Sequence, residues 1–139
     1  MALPMLKAEL KIQVQSMLDE GLLDGQFTEL QALQDKTNPN FVSEVITLFL
    51  KDGQMILIEM IQLTARQDVD FSILNIYLHK LKGSSSSIGA RQMTLACADL
   101  RLACDAQNKE RVRREYFNLQ LKLKILVQLE KTIFAIETR

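Results

Sequence analysis

His79 is the only histidine in the chain, and the residue types that follow it suit phosphoryl chemistry. The stretch DFSILNIYLHKLKGSSSSIGA reads as one helix. Its apolar residues Phe71, Leu74, Leu78, Leu81 and Ile88 step by threes and fours, with Ser85 filling one place in the seam. At about 100° per residue, His79 points roughly 120° from the centre of that seam, so its ring is expected to stand in solvent. Lys82 is one turn on and roughly 60° around, Gly83 lies within about 40°, and Ser86, two turns on, is nearly in line. The strip therefore offers an imidazole, an ammonium, a bare backbone and a hydroxyl. An imidazole is a competent nucleophile near neutral pH and can attack an activated phosphoryl group without a strong base beside it. An ammonium about 4–5 Å away stabilises the arriving phosphate by about 1 to 4 kcal/mol, nearer the low end in full solvent.

Gly83 is the most telling member of the strip. Glycine inside a helix costs about 1 kcal/mol relative to alanine, and this one lies away from the core seam, where a side chain would crowd the ring and any docking partner. Ile76, one turn before His79 on the exposed side, has two readings: the centre of a docking patch, or a residue covered by the first helix. Each residue also has an ordinary reading. A lone exposed histidine is common, Lys82 and Lys80 suit a solvated face, and Gly83 could merely permit close helix packing. Only the combination points to chemistry.

The elements that must hold this strip are helices throughout, since the chain has five glycines and two prolines and long 3–4-spaced apolar patterns. The first helix is expected over about Met5–Glu20, burying Leu6, Leu10, Val14, Met17 and Leu18, with Gly21 as its stop. A short second one, about Phe27–Gln34, carries Phe27, Leu30 and Leu33. Asn40 is expected to cap a long third helix reaching about Arg66, with Phe41, Val45, Leu48, Phe49, Ile56, Met60 and Ile61 inward. Asp70 would cap the fourth, about Phe71–Ile88, and Gly89 marks the turn after it. The fifth covers about Arg91–Ala106, with Met93, Ala96, Cys97, Leu100 and Cys104 facing in. The sixth, about Lys109–Ile136, buries Val112, Tyr116, Leu119, Leu123, Leu126, Val127, Ile133 and Phe134, and Glu130 is expected to interrupt that stripe. Met55 and Met60 read as core filler. Lys109–Arg114, Lys122 and Lys124 read as solvated faces. The expected fold is all-α: an antiparallel four-helix bundle with two additional N-terminal helices, one domain over residues 1–139.

Composition narrows the functions. Seventeen basic residues balance seventeen acidic ones, so no global field draws the chain to nucleic acid or to an anionic membrane. No apolar run approaches about eighteen residues, and the N-terminus lacks a signal-peptide layout, so neither membrane nor secretion is expected. Cys97 and Cys104 are seven apart on a helix, roughly 10 Å between α-carbons, too far for a bridge, and read as buried reduced thiols of an intracellular protein. With one histidine and those cysteines, no metal site is expected. No glycine-rich phosphate loop appears, so neither ATP binding nor autophosphorylation is expected, and no cofactor. A serine hydrolase is disfavoured because Ser84–Ser87 share a helix with His79.

The run His79-Lys80-Leu81-Lys82-Gly83-Ser84-Ser85-Ser86-Ser87-Ile88-Gly89-Ala90 resembles the signature of histidine phosphotransfer proteins, the plant ones in particular. Asn38–Val42 resembles the entry to that family's long bundle helix, and the fifth helix, through Cys97, Arg101 and Cys104, is similar as well. The resemblance implies a carrier that accepts a phosphoryl group from the receiver domain of a hybrid sensor histidine kinase. It would pass the group to the receiver domain of a response regulator, commonly in cytokinin signalling and between cytosol and nucleus. The partner would supply the aspartate and the Mg²⁺. Residue by residue, it implies His79 as phosphoacceptor, Lys82 as charge support and Gly83 as the access position; the helical strip itself adds Ser86 and Ile76 as docking candidates, and Lys80 and Arg101 are further ones. Lys80 departs from the glutamine usual after the histidine in plant members, adding a second positive charge about 100° around the helix. A monomer is expected. A helical adaptor that docks receiver domains without carrying phosphate remains the alternative, and an oligomer scaffold a third reading.

Overall fold

A computed structural model describes residues 2–137; of the expected domain, residues 1, 138 and 139 lie outside the described residues. Six helices follow one another: α1 (Ala2–Asp19), α2 (Gly25–Ala32), α3 (Phe41–Thr64), α4 (Phe71–Ser87), α5 (Arg91–Asp105) and α6 (Lys109–Glu137). Among the described residues there is no strand. The four longer C-terminal elements pack α4 on α5, α5 on α6, α6 on α3 and α3 on α4, closing an antiparallel bundle, while α1 lies along α6. One contiguous core runs through all six. None of the helices is long and apolar enough to cross a membrane among the described residues.

The helix ends follow local chemistry. α1 begins at Ala2 rather than Met5 because Pro4 falls in the first turn, where a missing N–H leaves no bond unmade. Gly21, at φ +74, ends it. α2 starts two residues earlier than its apolar pattern indicated, because the Asp24 carboxylate accepts from the Gln26 N–H at 2.9 Å. Asp70 caps α4 as expected, accepting from the Ser72 and Ile73 N–H groups. Asn40 occupies the cap position of α3, but its side chain makes no capping bond. Instead the Gln34 side-chain oxygen reaches across the loop to accept from the Val42 N–H at 2.9 Å. The chain after α2 thus does the work assigned to Asn40.

The buried face of α3 differs most from expectation. Val42, Ile46, Phe49, Leu50, Leu57 and Met60 are buried, with Ser43, Gly53 and Thr64 on the same face. Leu48 is 60% exposed, Met55 equally so, and Ile61 lies at the surface; Phe41, Val45 and Ile56 only flank the core. The buried face is rotated from the expected seam because small and polar residues of α3, Ser43, Gly53 and Thr64, take places in it. Gly53 in fact lets the Leu81 and Leu123 side chains come close to the α3 backbone. Thr64 is inside because its hydroxyl and that of Tyr116 converge on the Met60 carbonyl, at 2.8 and 3.1 Å, and on each other. In α6, Leu129 is fully buried and carries the seam from Leu126 to Ile133, so Glu130 is only half-buried and interrupts nothing. Phe134 and, in α2, Leu33 are exposed where they were expected in the core.

The N-terminal helices cover the end where α4 turns into α5. Gly89 has φ +77, and a Cβ there would sit 2.3 Å from the Phe27 nitrogen and 2.8 Å from the Asp24 carboxylate. The Asp24 N–H donates to the Gly89 carbonyl at 3.0 Å, and Phe27 is buried beside it.

Three ionisable groups are buried in neutral form. Burial pushes the Cys97 thiol up to about 12, the nearby Lys82 opposing it. Burial likewise raises Cys104 to about 11, aided by the Asp105 carboxylate, and Tyr116 to about 12 against its bond with Thr64. All three hold their protons more tightly folded than unfolded, so their contribution to stability is whole below pH 9 and is lost as pH rises toward 12. The melting temperature should be flat to about pH 8.5 and then fall, each group contributing about 1.4 kcal/mol per pH unit at most. A melting temperature unchanged to pH 11 would contradict this burial.

Candidate functional site

α4 is held in one rotational setting by Leu74, Leu78, Leu81 and Ser85, all buried against the bundle. Ser85 satisfies itself there by donating to the Leu81 carbonyl at 2.7 Å. That setting leaves His79, Lys82, Gly83 and Ser86 exposed on a continuous strip, as their spacing predicted. Among the described residues the exposed His79 ring has no hydrogen bond or ion pair. Ser84 and Ser87 return their hydroxyls to carbonyls of their own helix. The Ser86 hydroxyl makes no such bond among the described residues and lies exposed two turns along the helix from His79.

Gly83 settles its ordinary reading. A Cβ built on it meets nothing within 4 Å, in contrast to Gly53 and Gly89, whose neighbours are close. The fold of this chain does not require glycine there, so packing between its own helices does not explain the residue. Ile76 is 59% exposed and α1 lies along α6, which removes the reading that the first helix covers it. Lys80 turns the other way and lines an open groove between α3 and α4 with Asp52, Glu59, Tyr77 and Ser84.

Across the other edge of α4 stands α5. Asn75 donates through its amide to the Asp105 carboxylate at 3.3 Å, and Arg101 approaches that same carboxylate with its Nε at 3.7 Å. Asn75 and Asp105 were not singled out in the sequence, and only the i, i+4 spacing of Asn75 to His79 and of Arg101 to Asp105 could have pointed to them. The Asn75 carbonyl oxygen is buried without a partner among the described residues. Beneath the strip, Cys97 and Cys104 are buried free thiols, held neutral by their surroundings, and not poised for redox or metal chemistry. No grouping of three or more His, Cys, Asp or Glu that could hold a metal occurs among the described residues.

An exposed imidazole thus stands on the outside of a four-helix bundle, with a lysine and a glycine one turn on, on an open surface rather than in an enclosed pocket. Comparison with known proteins identifies the class. A model of the Hpt domain matches residues 44–133. The chain is 40% identical to histidine-containing phosphotransfer protein 1 of Oryza sativa subsp. japonica, with 97% of each chain covered. It is 43% identical to histidine-containing phosphotransfer protein 1 of Arabidopsis thaliana, covering 86% of this chain and 82% of that one. Its backbone matches the crystal structure of a histidine-containing phosphotransfer protein from maize with a TM-score of 0.88 at 34% identity, covering 96% of this chain and 97% of the other. The chain belongs to the family of histidine-containing phosphotransfer proteins built on the Hpt domain.

Because open space surrounds Gly83, Gly83→Ala should raise stability by about 0.5–1 kcal/mol through helix propensity alone. Gly83→Gln should keep the fold yet weaken binding of a receiver domain. Chemical denaturation and titration calorimetry measure the two effects; wild-type affinity in Gly83→Gln would refute the access role.

Proposed function

We propose that the chain carries a phosphoryl group on His79, taking it from the receiver aspartate of a hybrid sensor histidine kinase and delivering it to the receiver aspartate of a response regulator. The observation that carries this reading is the exposed, unpaired His79 ring one turn from a glycine that the chain's own packing does not call for. In the forward step an imidazole nitrogen forms a P–N bond as the P–O bond of the partner's acyl phosphate breaks, and the aspartate leaves as carboxylate. The receiver contributes the aspartate and the Mg²⁺; this chain contributes a positioned nucleophile and, through Lys82, partial neutralisation of the phosphate. Ser86 and Ile76 belong to the surface the receiver covers, with Lys80 and Arg101 at its margins.

On this reading residues 1–139 act as one phosphotransfer domain without kinase activity of its own. It works as a monomer and without nucleic acid or membrane as partner. It passes between cytosol and nucleus and serves cytokinin signalling.

Incubation with a phosphorylated receiver domain tests the reading. The wild type should acquire an acid-labile, base-stable label that His79→Gln abolishes. Lys82→Ala should keep the fold while slowing transfer or shortening the phosphohistidine lifetime by roughly two- to five-fold, the range for a solvent-exposed charge pair. Binding of the receiver without any label would favour a non-carrying adaptor instead, and unchanged kinetics in Lys82→Ala would remove that residue's role.

A further inference from the structure

The Asn75–Asp105 bond fixes the register between α4 and α5. The two helices are antiparallel neighbours, so one turn from Asn75 to His79 on α4 matches one turn back from Asp105 to Arg101 on α5. The nearness of Lys82 to Cys97 continues the same register. Arg101 therefore stands across the α4–α5 groove at the level of the His79 ring. Its side chain is 55% exposed and sits at the rim beside buried Leu100 and Cys104. Its guanidinium, however, is turned back along its own helix toward Asp105, at 3.7 Å, longer than a hydrogen bond. The carboxylate is itself anchored from α4 by Asn75.

We propose that Asp105 is a latch on Arg101: it holds the guanidinium aside while His79 is bare, and yields it to the phosphoryl oxygens once His79 is phosphorylated. The proposal rests on the phosphocarrier reading and adds to it a regulation of how long the phosphoryl group is kept. A guanidinium matches a phosphoryl group through two parallel N–H bonds and carries a charge that draws it there. The phosphoryl group, with nearly two negative charges, competes well against one carboxylate held at 3.7 Å. Arg101 and Lys82 then grip the phosphate from two helices. Loss of phosphate to water breaks the P–N bond, forms a P–O bond to the water oxygen and leaves a proton on the imidazole. Engaging the phosphoryl oxygens from both sides restricts the approach of that water, so the latch sets the lifetime of the carrier state. Among the described residues the only hydrogen bond of the Asn75 side chain is the one its amide donates to Asp105, while its carbonyl oxygen is buried without a partner.

The test loads the full-length chain with potassium phosphoramidate, a small-molecule phosphoryl donor to imidazole, and follows phosphohistidine decay by ³¹P nuclear magnetic resonance. Asp105→Asn keeps an acceptor for Asn75 but releases Arg101, and should lengthen the lifetime roughly two- to five-fold, the effect of one partly exposed ion pair. Arg101→Gln should shorten it, Arg101→Lys should restore part of the loss, and adding Asp105→Asn to Arg101→Gln should change nothing further. Circular dichroism checks that each variant is folded. The latch is overturned if Asp105→Asn leaves the lifetime unchanged, or if it lengthens the lifetime equally with and without Arg101, which would be plain carboxylate repulsion. Failure of the carrier reading looks different: a phosphorylated receiver would leave no label on the wild type, even though phosphoramidate still does.

Discussion

The rotational setting of α4 governs everything that can happen at the surface of this protein. Leu74, Leu78, Leu81 and Ser85 are buried along one line of the helix, and that line sets which way His79 looks. A helix that slipped by one residue would swing every side chain about 100° and carry the imidazole toward a neighbouring helix. The first task of the bundle is thus orientation. It acts as a clamp that converts a hydrophobic seam into a fixed bearing for a polar strip on the opposite side. Ser85 belongs to that clamp: it is a small residue whose hydroxyl is satisfied within its own helix, so it fills the seam without bulk.

The glycines divide the molecule's requirements cleanly. Gly89 is demanded by the chain itself, because its φ is positive and the α2 backbone lies against it. Gly53 serves the interior, giving Leu81 and Leu123 room. Gly83 serves neither: it lies in the middle of a helix with open space around it, so the packing of this chain alone does not call for it.

The sequence made α4 and α5 readable because their buried residues recur at 3–4 spacing between clear ends, Asp70 and Gly89 among them, even though Ile73, Ile76, Leu95 and Leu102 lie off that line and are exposed. The site strip followed from that line by helical geometry alone, and the exposure of His79, Lys82, Gly83, Ser86 and Ile76 follows it. The face of α3 was not readable. With apolar residues on almost every side, its periodicity carried little information, and Gly53, Ser43 and Thr64 face inward for reasons that only the neighbouring helices supply. Leu129 was missed because the seam of a 29-residue helix drifts, and Glu130 beside it drew the reading one position too far. The link from Asn75 to Asp105 joins residues thirty apart in sequence, and no local pattern announces such a pair.

The packing of α2 onto Gly89 bears on where this protein can be cut. The segment matched by the family model begins at Glu44, whereas Phe27 and Asp24 fill the concavity over the α4–α5 turn. A fragment trimmed to that segment would lose this cover, together with the first turn of α3 and its buried Val42, and would bare the corner where the histidine-bearing helix ends. The stretch before Glu44 is therefore a keystone for the far end of α4, although it lies outside the region by which the family is recognised.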